Sequence, residues 1–337
     1  MEEKRKRGAE ILVGTCAGLR CGEKAYVLCD SATEPVADYV FEQCRRKTEM
    51  VRRDVLAPLR MHGERPPERV GESMTWADVV FCLTSVSLAH TEERKKATDG
   101  GTRFLSLPDY SLDLLAGESL LFDFRGVVPL ARALAQTLDR GSEVRVTSDS
   151  GTDFRFLIAE RKANVCPGVC LNPGDLGSPP DAEVNIAPRE DSAEGAIVVD
   201  GSVPCREIGA LRGDSLTLQV AGGGVFRIDG EGQTPSVLEG IFEQAGSAAA
   251  RTLGEFGVGL NPKARLTGRM LEDEGCAGTV HFGFGSNATI GGRNRVAFHL
   301  DFVIMRPSVS VDGARIMTSG RPEWGDGPPP RSWAAHS

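Results

Sequence analysis

The sequence predicts a Rossmann-like α/β domain at the N-terminus and, after it, an α+β domain with a largely antiparallel sheet. The chain has 337 residues, which is long enough for two domains. Apolar runs alternate with amphipathic stretches up to about residue 125, as in a parallel sheet covered by helices. Short strands and glycine-rich turns dominate beyond about residue 140. We therefore place the domains at 1–138 and 139–319, and expect a disordered tail, rich in proline and glycine, at 320–337.

In the N-terminal domain, strands and helices are expected to alternate. The apolar run KAYVL predicts a buried strand at 24–28, and apolar residues at helical spacing predict a helix over 33–45. A second buried strand is expected at 77–83, where the sequence reads ADVVFCL. A charged helix at 90–97 and a third strand at 103–107 follow. This order favours parallel strands joined by helices.

In the C-terminal domain, a hairpin comes first. Its strands are expected at 142–148 and 154–158, around the turn DSGT. One long helix is predicted over 236–253. The further strands are expected at 183–187, 196–199, 215–220, 224–229, 280–284, 297–305, 309–311 and 314–317.

Composition excludes several classes of function. The formal net charge of −8 argues against a nucleic-acid partner. No apolar run reaches the length of a membrane span, and the apolar run near the N-terminus is too short for a signal peptide, so we expect a cytoplasmic protein. Nine scattered cysteines fit a reducing compartment. The stretch GFGSNA at 283–288 has the spacing of a dinucleotide fingerprint, but no helix follows it, so we interpret it as a turn and expect no NAD.

Two histidines and an aspartate have the spacing of a metal site. His299 and Asp301 are two residues apart on a predicted strand, so their side chains leave the same face, about 6.5–7 Å apart. His281 opens the neighbouring strand, and a glycine-rich turn lets the two strands pair. Asp301 adjoins the apolar run FVIM, and leaving its carboxylate unpaired there would cost several kcal/mol. We therefore predict that these three residues hold one metal ion and leave positions open for substrate.

Other carboxylates are candidates for the same site. Glu183 begins a predicted strand, and Glu255 lies in the segment GEFGVGLNP. The sequence alone leaves open whether each is a functional group or a solvated acid in a turn. The adjacent acids Glu272, Asp273 and Glu274 cannot all face one site, and we expect more than one of them to face solvent.

These residues carry a resemblance to the M29, aminopeptidase T-like, superfamily of metalloenzymes. The similar segments cover most of residues 8–318 and include DAEVNIAPREDSAEG, MLEDEGCAGTVHFGFG, NATIGGRNRVAFHLDFV and VDGARIM. In the peptidases of this superfamily, a tyrosine and five further ligands hold two metal ions. The corresponding five ligands of this chain are Glu183, Glu255, His281, His299 and Asp301. The tyrosine is missing, because Ala288 stands at its position.

A second branch of the superfamily resembles 2,5-dihydroxypyridine 5,6-dioxygenase, and we place the chain nearest to it. The resemblance implies a single Fe(II) ion on His281, His299 and Asp301, and a proton-transferring histidine that corresponds to His90. The remaining catalytic candidates, Glu183 and Glu255, would then orient the ligand imidazoles.

This reading implies a small hydroxylated aromatic or related chelating substrate, O₂ as co-substrate and a homo-oligomeric assembly. The alternative is an aminopeptidase or amidase with two ions of zinc, cobalt or manganese. In that case Glu183 would bridge the metals, and Glu255 would be a ligand or the general base.

Overall fold

The computed structural model describes residues 1–61 and 63–323. Its two compact units are Met1–Gly126 with Cys166–Pro180, and Val127–Val165 with the chain from Asp181 onward. The first unit is thus completed by a segment that follows part of the second unit in sequence. The prediction of a mixed α/β chain with two domains is confirmed at this level, while the Rossmann-like classification and the limits at residues 138 and 139 stay predictions.

Eight α-helices occur in the described part of the chain: α1 (Glu2–Glu10), α2 (Glu34–Lys47), α3 (Glu68–Trp76), α4 (Glu92–Asp99), α5 (Leu112–Leu115), α6 (Val128–Arg140), α7 (Thr234–Gln244) and α8 (Met270–Asp273). A π-helical turn follows α1 at Ile11–Cys16, and 3₁₀ turns occupy Glu118–Leu121 and Ala248–Arg251.

The strands of the first unit are β1 (Ala25–Asp30), β2 (Val51–Leu56), β3 (Val79–Leu83), β4 (Arg103–Ser106) and, from the later segment, β8 (Leu176–Gly177). The remaining strands are β5 (Glu143–Thr147), β6 (Asp153–Leu157), β7 (Asn164–Cys166), β9 (Glu183–Ile186), β10 (Glu194–Val199), β11 (Ser202–Val203), β12 (Gly209–Ala210), β13 (Leu216–Ala221), β14 (Gly224–Gly230), β15 (Leu253–Gly259), β16 (Thr279–Gly285), β17 (His299–Met305), β18 (Ser308–Val311), β19 (Ala314–Thr318) and β20 (Arg321–Pro322).

The first unit contains a five-stranded parallel sheet in the order β2-β1-β3-β4-β8. Its central strands β1 and β3 are apolar runs that are buried along their whole length. Such runs are typical of parallel strands with both faces covered. The surrounding core includes Tyr26, Leu28, Met74, Val80 and Phe104.

The second unit contains two sheets with antiparallel pairing. The eight-stranded sheet has the order β14-β13-β10-β6-β5-β18-β19-β20, and the seven-stranded sheet has the order β12-β11-β17-β16-β15-β9-β7. Aromatic side chains connect the two sheets: the ring centroids of Phe154 and Phe282 lie 5.0 Å apart, and those of Phe156 and Phe256 lie 5.2 Å apart. The core of this unit therefore lies between one face of each sheet.

Most predicted elements are present, and the differences have physical causes. The predicted helix over 236–253 is wrong in its second half: α7 ends at Gln244, Gly246 takes a positive φ, and Leu253 already begins β15. Strand β2 was missed because its sequence, VRRDVL, is charged and buries only Leu56, as expected of a strand at the edge of a sheet.

Two further expectations concern turns and the tail. The turn predicted at 283–288 is wrong at Gly283 and Gly285, which belong to β16. The predicted tail contains β20 near its start, and its residues from 324 onward lie outside the described part of the chain. None of the helices described is both long enough and apolar enough to cross a bilayer.

Candidate metal centre

Four adjacent strands of the seven-stranded sheet carry the predicted site residues. Glu183 lies on β9, Glu255 on β15, His281 on β16, and His299 and Asp301 on β17. The register pairs Glu255 with Gly283 and Gly283 with Asp301. Because side chains alternate along a strand, all five side chains project from one face of this sheet.

The opposite face of the same strands is apolar. Phe256, Phe282 and Phe302 alternate with the polar residues and are fully buried. Phe256 and Phe282 contact the aromatic rings of the eight-stranded sheet. The alternation in segments such as HFGFG and HLDFV therefore fixes which residues face the core and which form the site.

Glycines on the polar face make room for the imidazoles. A Cβ atom on Gly257 would overlap the ring of His281. A Cβ on Gly283 would lie 2.6 Å from His299 Nε2 and 2.8 Å from Asp301 Oδ1, closer than van der Waals contact allows. Any side chain at these two positions would collide with the candidate ligands, so both must be glycine. We call Gly257 and Gly283 the glycine cradle.

The possible ligand atoms fall into two groups that share one carboxylate. In the first, His281 Nε2 lies 3.1 Å from Glu183 Oε2 and 3.9 Å from Glu255 Oε1. In the second, His299 Nε2 lies 3.4 Å from Glu255 Oε2 and 3.2 Å from Asp301 Oδ1. Within each group the atoms lie within 4.8 Å of one another. Among the described residues, the predicted trio of His281, His299 and Asp301 is thus divided between two groups joined by Glu255.

Burial makes this cluster costly unless a cation or protons balance its charge. Glu183, Glu255 and Asp301 are at most 8% exposed, and His281 is 1% exposed. Within the described residues, His281 Nδ1 has no hydrogen-bond partner, and Glu183 Oε2 faces only His281 Nε2 at 3.1 Å. Buried carboxylates without compensation are strongly unfavourable. A cradle of imidazole nitrogens and carboxylate oxygens, with such unsatisfied atoms, fits a divalent transition metal.

Hydrogen bonds orient two of the candidate ligands. His299 Nδ1 lies 3.0 Å from the carbonyl oxygen of Ser286, so the N–H of that nitrogen donates to the carbonyl and Nε2 faces the carboxylates. Asn185 donates from Nδ2 to Glu183 Oε1 at 2.7 Å, and Asn164 donates to Asn185 Oδ1 at 3.0 Å. This short relay fixes the Glu183 carboxylate from behind.

The electrostatics of the cluster are strongly coupled. Burial lowers the pKa of His299, but Asp301 and Glu255 outweigh burial and raise that pKa well above its usual value. The pKa of His281 is raised in the same way, chiefly by Glu183. Burial raises the pKa of Asp301, but the facing His299 prevails and holds it well below the usual range. The protonated form of each imidazole is therefore stabilised by the carboxylates that face it.

Two further carboxyl groups lie beside the candidate ligands. Burial, and then repulsion from Glu183, raises the pKa of Asp181 well above its ordinary value. Burial, and then repulsion from Asp301, does the same for Glu274. The expectation that more than one acid of the 272–274 cluster faces solvent is wrong, because Glu274 interacts with Asp301 and the buried Asp273 accepts backbone N–H groups of the preceding turn.

The remaining predicted residue, His90, lies in the first unit. It is exposed, in the turn just before α4, and the next residue, Thr91, caps that helix by accepting a hydrogen bond from the Arg94 backbone N–H. His90 belongs to neither group of candidate ligands in the described chain. The sequence interpretation missed Asn185, Asp181 and the glycine cradle, although the spacing of Gly257 and Gly283 opposite predicted ligands carried the signal.

Comparison with known proteins gives the family. The family model described as "NicX: 2,5-dihydroxypyridine 5,6-dioxygenase" matches residues 25–323. A curated protein of that name from Pseudomonas putida, strain KT2440, is 26% identical over 263 residues, which are 72% of this chain and 70% of the relative.

Two solved structures share the fold. The 2,5-dihydroxypyridine dioxygenase of Pseudomonas putida KT2440 superposes with a TM-score of 0.81 at 20% identity, over 99% of both chains. AmpT from Thermus thermophilus gives a TM-score of 0.66 at 16% identity, over 96% of this chain and 99% of its own.

The resemblance predicted from the sequence is thus confirmed, and so is the prediction of an enzyme of the metal-dependent dioxygenase kind. The aminopeptidase alternative is not favoured, because the matching family model describes the dioxygenase and the likeness to AmpT concerns the fold. The chain belongs to the 2,5-dihydroxypyridine 5,6-dioxygenase family.

Proposed function

We propose that this protein is a mononuclear Fe(II) dioxygenase that opens the ring of a small hydroxylated heteroaromatic compound. The observation that carries this proposal is the group formed by the exposed His299 and the buried carboxylates of Glu255 and Asp301, with His281 adjoining it through Glu255. Family membership supplies the reaction class, and 2,5-dihydroxypyridine is the first substrate to test.

We assign the metal ligands to His281, His299 and Asp301. Glu183 and Glu255 hold the imidazoles on the side that would face the ion, since their carboxylates lie 3.1 Å and 3.4 Å from the two Nε2 atoms. Carboxylates that orient a metal-binding histidine usually accept a hydrogen bond from the ring nitrogen that does not bind the metal, and these two glutamates lie on the other side of the ring. For His299, the Ser286 carbonyl is the group that contacts the nitrogen away from the ion.

Iron is the metal that fits this chemistry, with zinc, cobalt or manganese as alternatives. A bound ferrous ion would supply electron density to O₂, which redox-silent zinc cannot do. The residues of the chain then have three tasks. The glycine cradle keeps the imidazoles in place, Ser286 fixes the tautomer of His299, and we assign to His90 the transfer of the proton of a substrate hydroxyl.

Metal content measured together with activity tests the proposal. The protein is loaded anaerobically with Fe(II), and the bound metal and the O₂-dependent loss of 2,5-dihydroxypyridine are measured. We expect one iron per chain and one O₂ consumed for each substrate. Two zinc, cobalt or manganese ions per chain, with release of an N-terminal amino acid from a peptide, would instead support the aminopeptidase.

Removal of one ligand tests the site itself. We expect His299→Ala to lose both bound iron and turnover. His62, which lies outside the described residues, and His90 provide the matched controls, because His62→Ala and His90→Ala should keep the metal. An unchanged iron stoichiometry in His299→Ala would remove this cluster from the proposal.

We also propose a homo-oligomer in the cytoplasm. The chain has nine cysteines scattered along its length, which fits a reducing compartment. Light scattering on the purified protein would measure the assembly, and a monomer at micromolar concentration would contradict it.

A further inference from the structure

A cavity of about 350 Å³ lies within the first unit, apart from the groups of candidate metal ligands. Its size is at the lower end of the range for small-molecule sites. Four of its lining residues are basic: Arg20, Lys47, Arg103 and Arg125. None of its described lining residues is acidic, although the whole chain carries a net charge of −8. The cavity is thus a local concentration of positive charge in an acidic protein.

The floor of this basic cavity is built by the loop that follows the π-helical turn. Arg103 donates to the Gly18 carbonyl at 3.3 Å, and Arg125 donates to the Thr15 carbonyl at 3.4 Å. Gly18 has a φ of +55°, and a Cβ atom there would lie 2.9 Å from Leu171. The loop is therefore held in a backbone conformation that favours glycine, with one guanidinium group against its Gly18 carbonyl and another against the Thr15 carbonyl of the preceding π-helical turn.

Arg103 is the best-fixed of the four cations. It is 5% exposed, and its second guanidinium nitrogen forms an ion pair with Glu23 Oε2 at 2.7 Å. These bonds occupy two of the five N–H groups that a guanidinium offers. Arg20 and Lys47 are exposed, and no described carboxylate forms an ion pair with either. One carboxylate therefore faces four cations, which leaves an excess of positive charge.

The cavity lies at the amino ends of the parallel strands. Arg103 is the first residue of β4, Lys47 ends the helix before β2, and Arg20 lies in the loop before β1. Ligands of open α/β sheets usually bind at the opposite, carboxyl edge. A ligand at the amino edge would therefore occupy a site separate from the one that this sheet architecture normally uses.

We propose that the basic cavity binds the oxyanion group of a small metabolite, a phosphate or a carboxylate. Guanidinium groups offer paired N–H donors that match the geometry of both groups, and the lysine adds a point charge. The cavity is large enough for a small molecule. Because all its lining residues belong to the first unit, a bound ligand would stabilise that unit against unfolding. This proposal does not depend on the dioxygenase assignment.

Calorimetric titration of the iron-loaded protein tests the site. Sulfate serves as the tetrahedral probe and succinate as the carboxylate probe, each at constant ionic strength because salt screens exposed charges. We expect saturable binding of at least one probe, and the stronger of the two identifies the oxyanion class. Thermal unfolding with and without the probe gives a second measurement.

Two double variants with the same change of charge separate a site from general attraction. Arg20→Ala/Lys47→Ala removes two exposed lining cations and should weaken probe binding about tenfold or more. Arg45→Ala/Arg46→Ala removes two exposed cations from the same last turn of α2, outside the lining, and should leave it nearly unchanged. Arg125→Gln is a further variant that removes a third lining cation but keeps a polar side chain, and it should also weaken probe binding.

The absence of saturable binding by either probe below about 10 mM in the wild-type protein, which corresponds to a binding free energy weaker than about −3 kcal/mol, would overturn the proposal. Equal weakening in both double variants would also overturn it, because it would indicate attraction by net charge alone. Neither result would affect the assignment of the metal centre, whose residues lie in the second unit.

Discussion

The central strands of the parallel sheet in the first unit and of the seven-stranded sheet in the second unit are buried on both faces, but they carry different side chains. In the parallel sheet, β1 and β3 read AYVLCD and VVFCL, so nearly every position on both faces is apolar. In the seven-stranded sheet, β15 and β16 read LGEFGVG and TVHFGFG, and are equally buried. There the apolar residues occupy one face, and glycines and ionisable residues share the other.

The comparison shows that burial by itself does not indicate a packing role. A face of glutamate, histidine and aspartate can be buried only if the charges compensate one another or an added cation. The glycines between these residues, Gly257 and Gly283, leave room on this face for the imidazole rings of His281 and His299. The parallel sheet has no such pattern within its central strands, and its polar groups, such as Asp30 and Thr84, come at the strand ends.

The largest effect is expected when a methyl group replaces the open space on the polar face of the seven-stranded sheet. Gly257→Ala places a methyl group inside the ring position of His281, which has to move because neighbouring strands confine it. We expect loss of bound iron and a fall in turnover of about 10³-fold or more, comparable to loss of a principal catalytic group. Metal analysis and O₂ uptake measure both effects.

Gly240→Ala is the matched control for that variant. Gly240 lies in α7, and nothing lies within 4 Å of the position of its Cβ. The change should leave iron binding intact and stabilise the protein by about 0.5–1 kcal/mol, the usual gain from glycine to alanine within a helix. Retention of full iron content by Gly257→Ala would show that the cradle is not needed.

His90 gives the next largest effect and tests the proton-transfer role proposed for this residue. His90→Ala should keep one iron per chain and slow turnover by about 10²–10⁴-fold, the usual contribution of a general acid or base. The pH–rate profile should lose one limb, because the titrating imidazole is gone. Turnover at the wild-type rate would leave His90 as an exposed residue of the turn before α4.

A smaller effect is expected from the relay behind Glu183. Asn185→Leu removes the 2.7 Å hydrogen bond to Glu183 and also leaves Asn164 without that acceptor. We expect iron affinity to fall about 10–100-fold, as for other residues that orient metal ligands. Competition with a chelator measures the affinity. Gln219→Leu, on a strand of the eight-stranded sheet, is the control, and an equal loss there would point to general destabilisation.

The smallest effect concerns the strand ends of the parallel sheet. Burial raises the pKa of Asp30, but hydrogen bonds from Ser85, Thr33 and Ala32 outweigh it and lower the pKa below its usual value. A lowered pKa in the folded state stabilises the protein above the unfolded pKa of about 3.9, and this contribution is lost as the pH falls through the folded value.

We therefore expect Asp30→Asn to lower the stability at pH 7 by about 1 kcal/mol and to lose less stability than the wild type between pH 5 and 3. Urea unfolding at each pH gives the comparison. Parallel pH dependence in both proteins would mean that other carboxylates govern acid unfolding.

Particular residues show how far the sequence could be interpreted. The pair His299 and Asp301 was recognisable because strand periodicity alone places both on one face, and His281 because it lies on a strand expected to pair with theirs. The sequence alone named Glu183 and Glu255 as candidates, and only the resemblance gave them roles. The end of α7 and the strand β2 were missed, because Gly246 and the edge position of β2 act through tertiary context that local pattern does not contain.

By itself, the sequence determined the alternation of polar and apolar residues, the mixed α/β class and the residue types able to bind a metal, since these follow from local periodicity and composition. The tertiary structure decided that Glu255 joins two groups of ligands, that Ser286 and Asn185 hold them, and that four basic residues meet at the amino edge of the parallel sheet. Those relations join residues up to about a hundred positions apart, and only strand pairing and side-chain packing bring such residues within reach of one another.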